Sequence, residues 1–295
     1  MTEISPLAFV DPKATLGRNV RIDPFCYVGP EVTLGDDCVL HPHVTLIGNS
    51  TFGARNQFHP QCVLGADPQD LKYKGGPTRL VVGNDNHFRE LVTIHRGTEV
   101  DRHSAGVTRI GDHNLLMVGA HIAHDCAVGN HCIIANNVLA AGHIVIEDFV
   151  NISGAVAIQH FSTIGRYSFV TGATRVPRDV PPYTIAHGYE AATQGINVKG
   201  LQRWKVPDES IEALEKAGRM LFPRRDTSRP LSIIDALNEV EDAGLAADSH
   251  VRYLVDFLRR MRESSVHGRV LEKLRADKPE DRAGFYSAVR KDTNS

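Results

Sequence analysis

Along most of the first 180 residues an aliphatic or aromatic side chain returns at every sixth position. From Ile110 the markers run through Leu116, Ile122, Val128, Ile134, Ala140, Ile146, Ile152, Ile158, Ile164 and Val170 to Val176. An earlier run on the same beat begins at Ile4, Val10, Leu16 and Ile22 and reaches Phe58 and Leu64. A helix repeats near 3.6 and a strand alternates every two, so a strict six fits neither alone; it fits short strands joined by tight corners. The pattern predicts a parallel β-helix in which three hexads, about eighteen residues, close one triangular coil. Successive coils then stack at ~4.8 Å, and residues about eighteen apart lie one above another. Glycine often follows the marker, as at Gly17, Gly29, Gly35, Gly53 and Gly65, where a corner is expected to need an unhindered backbone.

The beat breaks twice. It lapses over about 66–81 and resumes at Val82, Phe88 and Ile94; it lapses again over about 95–108 before Ile110 restores it. Breaks of this kind are loops pushed out from a corner, the places where solenoids carry binding groups. The first holds Asp70 and Lys72, the second Arg96, Arg102 and His103. Solvated loops without a role are the competing reading for both. Pro181 and Pro182 are expected to end the coils, giving a β-helix domain over 1–185. A linker and a small α-helical domain follow over 186–275, with helical periodicity at 208–221, 232–243, 249–262 and 269–275. Ser232 reads as an N-cap with Asp235 in the capping-box place, and Gly244 as a terminator. Residues 276–295 read as a polar, flexible tail.

Stacking arithmetic turns scattered histidines into a cluster. His124 lies two places after Ile122 and His160 two places after Ile158, two whole coils apart, with Gly142 and His143 on the coil between. One edge of the prism should carry His124, Gly142/His143 and His160 in a column, the outer pair roughly 10 Å apart. Three readings stand open: hydrogen-bonded corner histidines, a metal site like the three-histidine zinc centre that gamma-class carbonic anhydrases build on this fold, or a general base whose ordinary pKa near 6.5 suits it to deprotonate a hydroxyl.

Composition narrows the field modestly. The chain has 295 residues and a formal net charge of -2, which argues against a nucleic-acid binder held by bulk charge. No signal-peptide pattern opens it and no apolar run is long enough to cross a bilayer, so a cytoplasmic protein is expected. Cys26, Cys38, Cys62, Cys126 and Cys132 each fall four places after a marker, an interior position shared with Val20, Val32, Val44 and Val138. They read as buried, reduced thiols used as small hydrophobes.

The run Gly119-Ala-His-Ile-Ala-His-Asp-Cys126 resembles the active-site segment of bacterial UDP-N-acetylglucosamine O-acyltransferases, which begin lipid A synthesis. Further blocks look like that family's: Asp70-Leu-Lys72-Tyr, Val92-Thr-Ile-His95-Arg-Gly-Thr98, Asn114-Leu-Leu-Met117, Ala141-Gly-His143, Asp179-Val-Pro-Pro-Tyr183 and Gly195-Ile-Asn-Val-Lys-Gly-Leu201. The likeness covers about 4–267. It implies a left-handed parallel β-helix of hexapeptide repeats, mainly β, with a small C-terminal α-helical domain. It also implies transfer of a 3-hydroxyacyl chain from acyl carrier protein to the 3-hydroxyl of UDP-N-acetylglucosamine (UDP-GlcNAc) by a homotrimer, without cofactor or metal.

Carried over residue by residue, the resemblance makes His124 the general base, Asp125 the group that orients it, and the Gly142 amide the oxyanion donor. Asp70, Lys72, His95, His121 and His143 match positions that hold the sugar, the phosphates or the pantetheine arm; Asn197 and Arg203 match contacts to the nucleotide end. Gly172 aligns with the floor of the acyl-chain groove, with a plain turn glycine as the equal alternative. The chain departs from the family at Gln159-His160-Phe161, where His-Gln-Phe is usual, at Trp204, where a second basic residue is common, and at Glu190, which replaces a histidine near the sugar. These departures leave room for a related UDP-amino sugar as acceptor. Arg252, Arg259, Arg260 and Arg262 on one predicted helix offer the acidic carrier protein a basic face, with a solvated helix surface as the alternative.

Overall fold

In the computed structural model, which describes residues 1–99, 104–223 and 232–262, the six-residue beat becomes a three-sided prism. As far as Arg175–Val176, strands of two to four residues alternate in strict rotation among three sheets and pair in parallel. The first face carries Ile22, Leu40, Phe58, Phe88, Leu116 and Ile134, the second Val28, Leu46, Leu64, Ile94, Ile122 and Ala140, and the third Leu34, Phe52, Val82, Ile110, Val128 and Ile146. Every marker pairs with the marker one coil away: Ile22 with Leu40, Ile122 with Ala140, Ile134 with Ile152. These side chains fill the interior with scarcely any exposure. Each coil alone could not bury its inward face; stacking makes one continuous core.

The excursions are absorbed without loss of register. Phe58 pairs with Phe88 and Leu64 with Ile94, across the first loop, and Ile94 pairs with Ile122 across the second. Both loops leave from the corner between the second and third faces, after the strands Val63–Ala66 and Thr93–His95.

Corner chemistry differs from the sequence expectation. The glycines that follow third-face markers do not sit at positive φ. A Cβ on Gly35 would lie 2.5 Å from the carbonyl carbon of Gly53, and one on Gly17 would lie 2.6 Å from the amide of Asp36. What glycine supplies there is close approach between coils. The left-handed residue comes two places later and is usually not glycine: Asp37 has φ 58°, His113 57° and His131 57°. Local side-chain and coil-to-coil hydrogen bonds offset the modest cost of these conformations.

The five thiols occupy the interior, each donating to a carbonyl of the next coil, as Cys62 does to Arg89 O at 2.9 Å and Cys126 to Ala141 O at 3.1 Å. Burial pushes Cys62, Cys126 and Cys132 up to about 12. The same interior position also holds Asn56, Asn86 and Asn114, which the hydrophobic pattern did not single out. Each accepts a backbone N–H from the next coil and donates to a glycine carbonyl, so the buried amides are satisfied.

Pro181 and Pro182 do not end the winding. Val180 bridges to Ile164, and the strand Thr184–His187 pairs in parallel with Phe169–Val170 before Ala192–Ile196 turns back antiparallel. Proline lacks a donor, and here both prolines fall at a corner, where the ladder does not need one. Among the described residues four α-helices follow: α1 (Val198–Arg203), α2 (Asp208–Leu221), α3 (Ile233–Asp242) and α4 (Ser249–Arg262). Ser232 Oγ accepts from Asp235 N to cap α3, and Gly244 follows it at φ 72°. Leu214, Leu237, Val240, Val251, Leu254 and Leu258 make a second core. The helical unit is fastened to the third-to-first corner: Tyr253 Oη donates to Glu147 Oε1 at 2.7 Å, and Trp204 packs edge-on against His131 and Phe149. The helix expected over 269–275 and the tail over 276–295 lie outside the described residues, as do Arg102 and His103.

Candidate active site at the second-to-third corner

His124 and Asp125 turn this corner just after the strand His121–Ile122. Gly142 stands one coil along, so close that a Cβ there would lie 2.4 Å from His124 Cε1 and 2.7 Å from Nε2. Only glycine lets the imidazole lie against this stretch of backbone. His143 meets the His124 ring edge-on at 5.0 Å and stacks on Phe161 at 4.5 Å. His160 is on the same corner, two coils from His124 as the arithmetic required, but is exposed, while Gln159 is half-buried.

The imidazole is oriented from one end. His124 Nδ1 lies 2.9 Å from Asp125 Oδ2, a contact that sets the tautomer with the proton on Nδ1 and directs Nε2 outward. Nε2 is 3.9 Å from Asp70 Oδ2, which the first excursion brings over the corner. The Asp125 side chain is wholly buried. Burial alone would raise its pKa, but hydrogen bonds from His124, Ser104 and Thr98 together outweigh burial and hold the carboxyl below its ordinary value.

Two more histidines lie on the second face. His121 Nδ1 is 2.8 Å from Thr93 Oγ1, and its ring meets His95 edge-on at 4.9 Å. Burial, then the neighbouring His121 and His124, pull His95 down to about 4, so it is neutral near pH 7. Burial, then His124, lowers His121 in the same direction. Asp70 also accepts from the backbone N–H of Lys72 at 3.0 Å, and Lys72 is buried.

The excursions are clasped together. Arg96 donates to Gly65 O at 2.8 Å and to Tyr73 Oη at 3.2 Å, and pairs with Asp67. Lys74 N donates to Glu99 Oε1 at 2.7 Å. The neck of the second loop is pinched where Gly97 passes Gly106; a Cβ on Gly97 would lie 2.3 Å from the Gly106 carbonyl carbon. This clasp fixes where Asp70 stands.

Among the described residues, Asp70, His124 and His143 bring ligand atoms within 4.8 Å of one another and are the group that could hold a metal ion. The set is two histidines and a carboxylate, not the three-histidine column considered from the sequence.

The structure thus brings together Asp70, Lys72, His95, His121, His124, Asp125, Gly142 and His143, with Gln159 and His160 a coil beyond. It does not bring Gly172, Asn197 or Arg203 to them within one chain. Gly172 is at the first-to-second corner, exposed, outside the left-handed region, and a Cβ there would meet nothing nearer than Gly154 O at 3.5 Å. No turn at this position demands glycine. Asn197 caps α1 through Gly200 N and donates to Tyr167 O at 2.9 Å, and Arg203 is in the last turn of α1, both by the third-to-first corner. Glu190 is 3.4 Å from Arg175 Nη1. On α4, Arg252 and Arg259 both engage Glu241 and Arg260 lies over the Tyr253 and Phe257 rings, so three of the four arginines are already used within the helical unit. Sequence reasoning missed Ser104 and Thr108 as partners of Asp125, since a hydroxyl in the excursion or at the head of the strand Val107–Ile110 carries no positional signal in a hydropathy beat.

Residues 179–268 match the family model for domain 2 of UDP-N-acetylglucosamine O-acyltransferase, and 13–48 and 108–142 match the bacterial transferase hexapeptide. Among curated relatives, the acyl-(acyl-carrier-protein)–UDP-N-acetylglucosamine O-acyltransferase of Burkholderia lata is 43% identical over 261 residues, 88% of this chain and 97% of its own. That of Synechocystis is 42% identical over 217 residues, 74% of this chain and 75% of its own. Solved structures agree. The UDP-N-acetylglucosamine acyltransferase from Bacteroides fragilis superposes with a TM-score of 0.81 at 40% identity, covering 87% of this chain and 96% of its own. The corresponding protein of Acinetobacter baumannii gives 0.80 at 39%, covering 87% and 96%.

Proposed function

Because the chain belongs to the UDP-N-acetylglucosamine O-acyltransferase family, we propose that it moves a 3-hydroxyacyl chain from acyl carrier protein to the 3-hydroxyl of UDP-GlcNAc, with His124 as general base. The reaction opens lipid A biosynthesis and is assigned to the cytoplasm; no helix among the described residues is long and apolar enough to cross a membrane. The thioester of the carrier protein is the co-substrate, and no step calls on a metal or a cofactor.

His124 Nε2 takes the proton from the sugar 3-hydroxyl as its oxygen attacks the thioester carbonyl. The Gly142 N–H meets the charge that develops on the carbonyl oxygen; the close packing of Gly142 on the imidazole puts base and donor side by side. Collapse breaks the carbon–sulfur bond, and the leaving pantetheine sulfur recovers the proton from His124. No acyl-enzyme forms, in keeping with interior thiols that stay protonated. Asp70, Lys72, His95, His121 and His143 hold the acceptor and the pantetheine arm around Nε2. Gly172, Asn197 and Arg203 belong to the acyl-chain and nucleotide ends of a site completed between neighbouring prisms of a homotrimer, which accounts for their distance from His124 along one chain. Gln159 and His160 extend the same edge.

The observation that carries the reading is the imidazole held at Nδ1 by a buried, hydrogen-bonded carboxylate, with Nε2 directed away from it toward Asp70. The test is acyl transfer from 3-hydroxyacyl carrier proteins of several lengths to UDP-GlcNAc and to its 3-amino analogue, with His124→Ala alongside. Product on the 3-hydroxyl, lost in the variant, is expected. Product on the amino analogue alone would replace the acceptor, and full activity of His124→Ala would remove the base.

A further inference from the structure

The second excursion ends on the carboxylate behind the base. Asp125 is wholly buried and left-handed at φ 60°. A buried carboxylate offers about four lone-pair sites, and His124 uses one of them. Thr98, itself fully buried, supplies two donors from the neck of the loop: its N–H reaches Oδ1 at 2.9 Å and its hydroxyl reaches Oδ2 at 2.6 Å. Ser104, from the returning side of the same loop, donates its hydroxyl to Oδ1 at 2.6 Å. On the other side of the peptide, the Asp125 N–H donates to Thr108 Oγ1 at 2.8 Å. The loop thus holds both oxygens, and the strand Val107–Ile110 into which it returns holds the backbone of the same residue.

We infer that Thr98 and Ser104 are positioning residues for the transfer reaction, fixing the plane of the Asp125 carboxylate so that it holds His124 Nδ1 and points Nε2 at the acceptor hydroxyl. The inference rests on the reading of His124 as general base. Oδ2 is shared between Thr98 and His124, so the Thr98 hydroxyl fixes the direction from which the oxygen meets the imidazole. Without it the carboxylate can rotate toward His143, whose Nδ1 stands 3.9 Å from the same Oδ2. Among the described residues, the charged and titratable groups around this unit are His143 beside Asp125, Asp70 beyond Nε2 with the buried Lys72 next to it, and His121 and His95 on the second face.

Removing a donor has two separable effects. The carboxylate is less well aimed, which lowers turnover. Its charge is also less shared, so it stabilises the imidazolium more, and the acid limb of the pH profile moves to higher pH. Thr98→Val, which keeps shape and loses the hydroxyl, is expected to lower kcat about 10- to 100-fold, the usual cost of an outer-shell partner. KM for UDP-GlcNAc should change less than about threefold, since no contact to the sugar is removed. Ser104→Ala should act in the same direction and more weakly, and Thr98→Ser should restore both turnover and pH profile.

The experiment measures kcat, KM and the pH dependence of kcat/KM for Thr98→Val, Thr98→Ser, Ser104→Ala and His124→Ala in the full-length chain, with thermal unfolding recorded for each. Lower kcat with an upward acid limb in Thr98→Val and Ser104→Ala, rescued by Thr98→Ser, supports the inference. Wild-type kcat and pH profile in folded Thr98→Val and Ser104→Ala, with His124→Ala inactive, overturns the inference and leaves the base reading standing. Equal losses in Thr98→Val and Thr98→Ser that follow unfolding temperature also overturn it, since that is how a loop anchor alone behaves. Activity retained in His124→Ala removes the underlying reading instead.

Discussion

Asp70 Oδ2 and Asp125 Oδ2 lie at opposite ends of one imidazole, 3.9 Å from His124 Nε2 and 2.9 Å from Nδ1. The longer separation exceeds a hydrogen bond, so Nε2 retains its lone pair for a hydroxyl that enters beside Asp70. Asp70→Asn, which keeps shape and removes charge, should raise KM for UDP-GlcNAc, by about tenfold if one charge-assisted hydrogen bond to the acceptor is lost. Steady-state kinetics with UDP-GlcNAc as the varied substrate check this; an unchanged KM in Asp70→Asn would count against it.

Gly142 is held to glycine by the imidazole and not by its own backbone. A Cβ would lie 2.4 Å from His124 Cε1 while the residue stays outside the left-handed region, so alanine is compatible with the coil but not with the ring where it stands. Gly142→Ala is expected to unfold within a few degrees of wild type and to lose about 100-fold or more in kcat, the scale of a catalytic group displaced by 1 Å. Thermal unfolding together with steady-state rates tests this. A folded variant with near-wild-type kcat would show that the contact has no bearing on the base.

The fold was legible because a solenoid is nearly one-dimensional: spacing along the chain converts directly into neighbours in space, and that alone put His124, Gly142 and His160 on one corner. The reason for the corner glycines was not legible. Close approach at Gly35 and left-handed backbone at Asp125 are two demands met by different residues, and a hydropathy beat reports neither. Pro181 and Pro182 read as a stop because proline cannot join a ladder, yet a corner needs no ladder donor, and the coil continues to Thr184–His187. In the site, spacing alone reached His124, Gly142/His143 and His160; the break in the beat pointed to Asp70 and Lys72 without a role, the resemblance supplied His95 and His121, and Ser104 was not found at all. Asp70 reaches His124 through a loop held by Arg96, and Ser104 reaches Asp125 across a neck pinched at Gly97 and Gly106. Such contacts depend on how an excursion folds back, which no spacing rule encodes.

Gly172 separates a structural glycine from a functional one. With no left-handed φ and no Cβ contact nearer than 3.5 Å, the turn tolerates a side chain, which favours the reading of an open groove floor over that of a turn glycine. Gly172→Met should fold normally and move the acyl preference to shorter chains by occupying the space the chain end would fill. Competition among 3-hydroxyacyl carrier proteins of graded length, read by mass spectrometry of the products, checks this; an unchanged length profile would return Gly172 to the turn.

His95 links the site to stability. Burial, then the His121 and His124 imidazoles, hold it at about 4, whereas in the unfolded chain a histidine titrates near 6.5. Between these values the unfolded chain binds a proton that the folded one refuses, so stability rises with pH across the window. The contribution is complete above about 6.5 and is lost as pH falls toward about 4. At about 1.4 kcal/mol per unit, acidification from pH 7.5 to pH 5 should cost on the order of 2 kcal/mol through this residue alone, and the lowered His121 adds in the same direction. His95→Gln removes the titration while keeping a polar side chain of similar reach. Urea unfolding of both proteins at pH 7.5 and pH 5, at one fixed protein concentration, should show a smaller loss in the variant by about that amount. Equal losses in the two proteins would mean that His95 is protonated in the folded state at little cost, and that its burial against His121 does not exclude the charge.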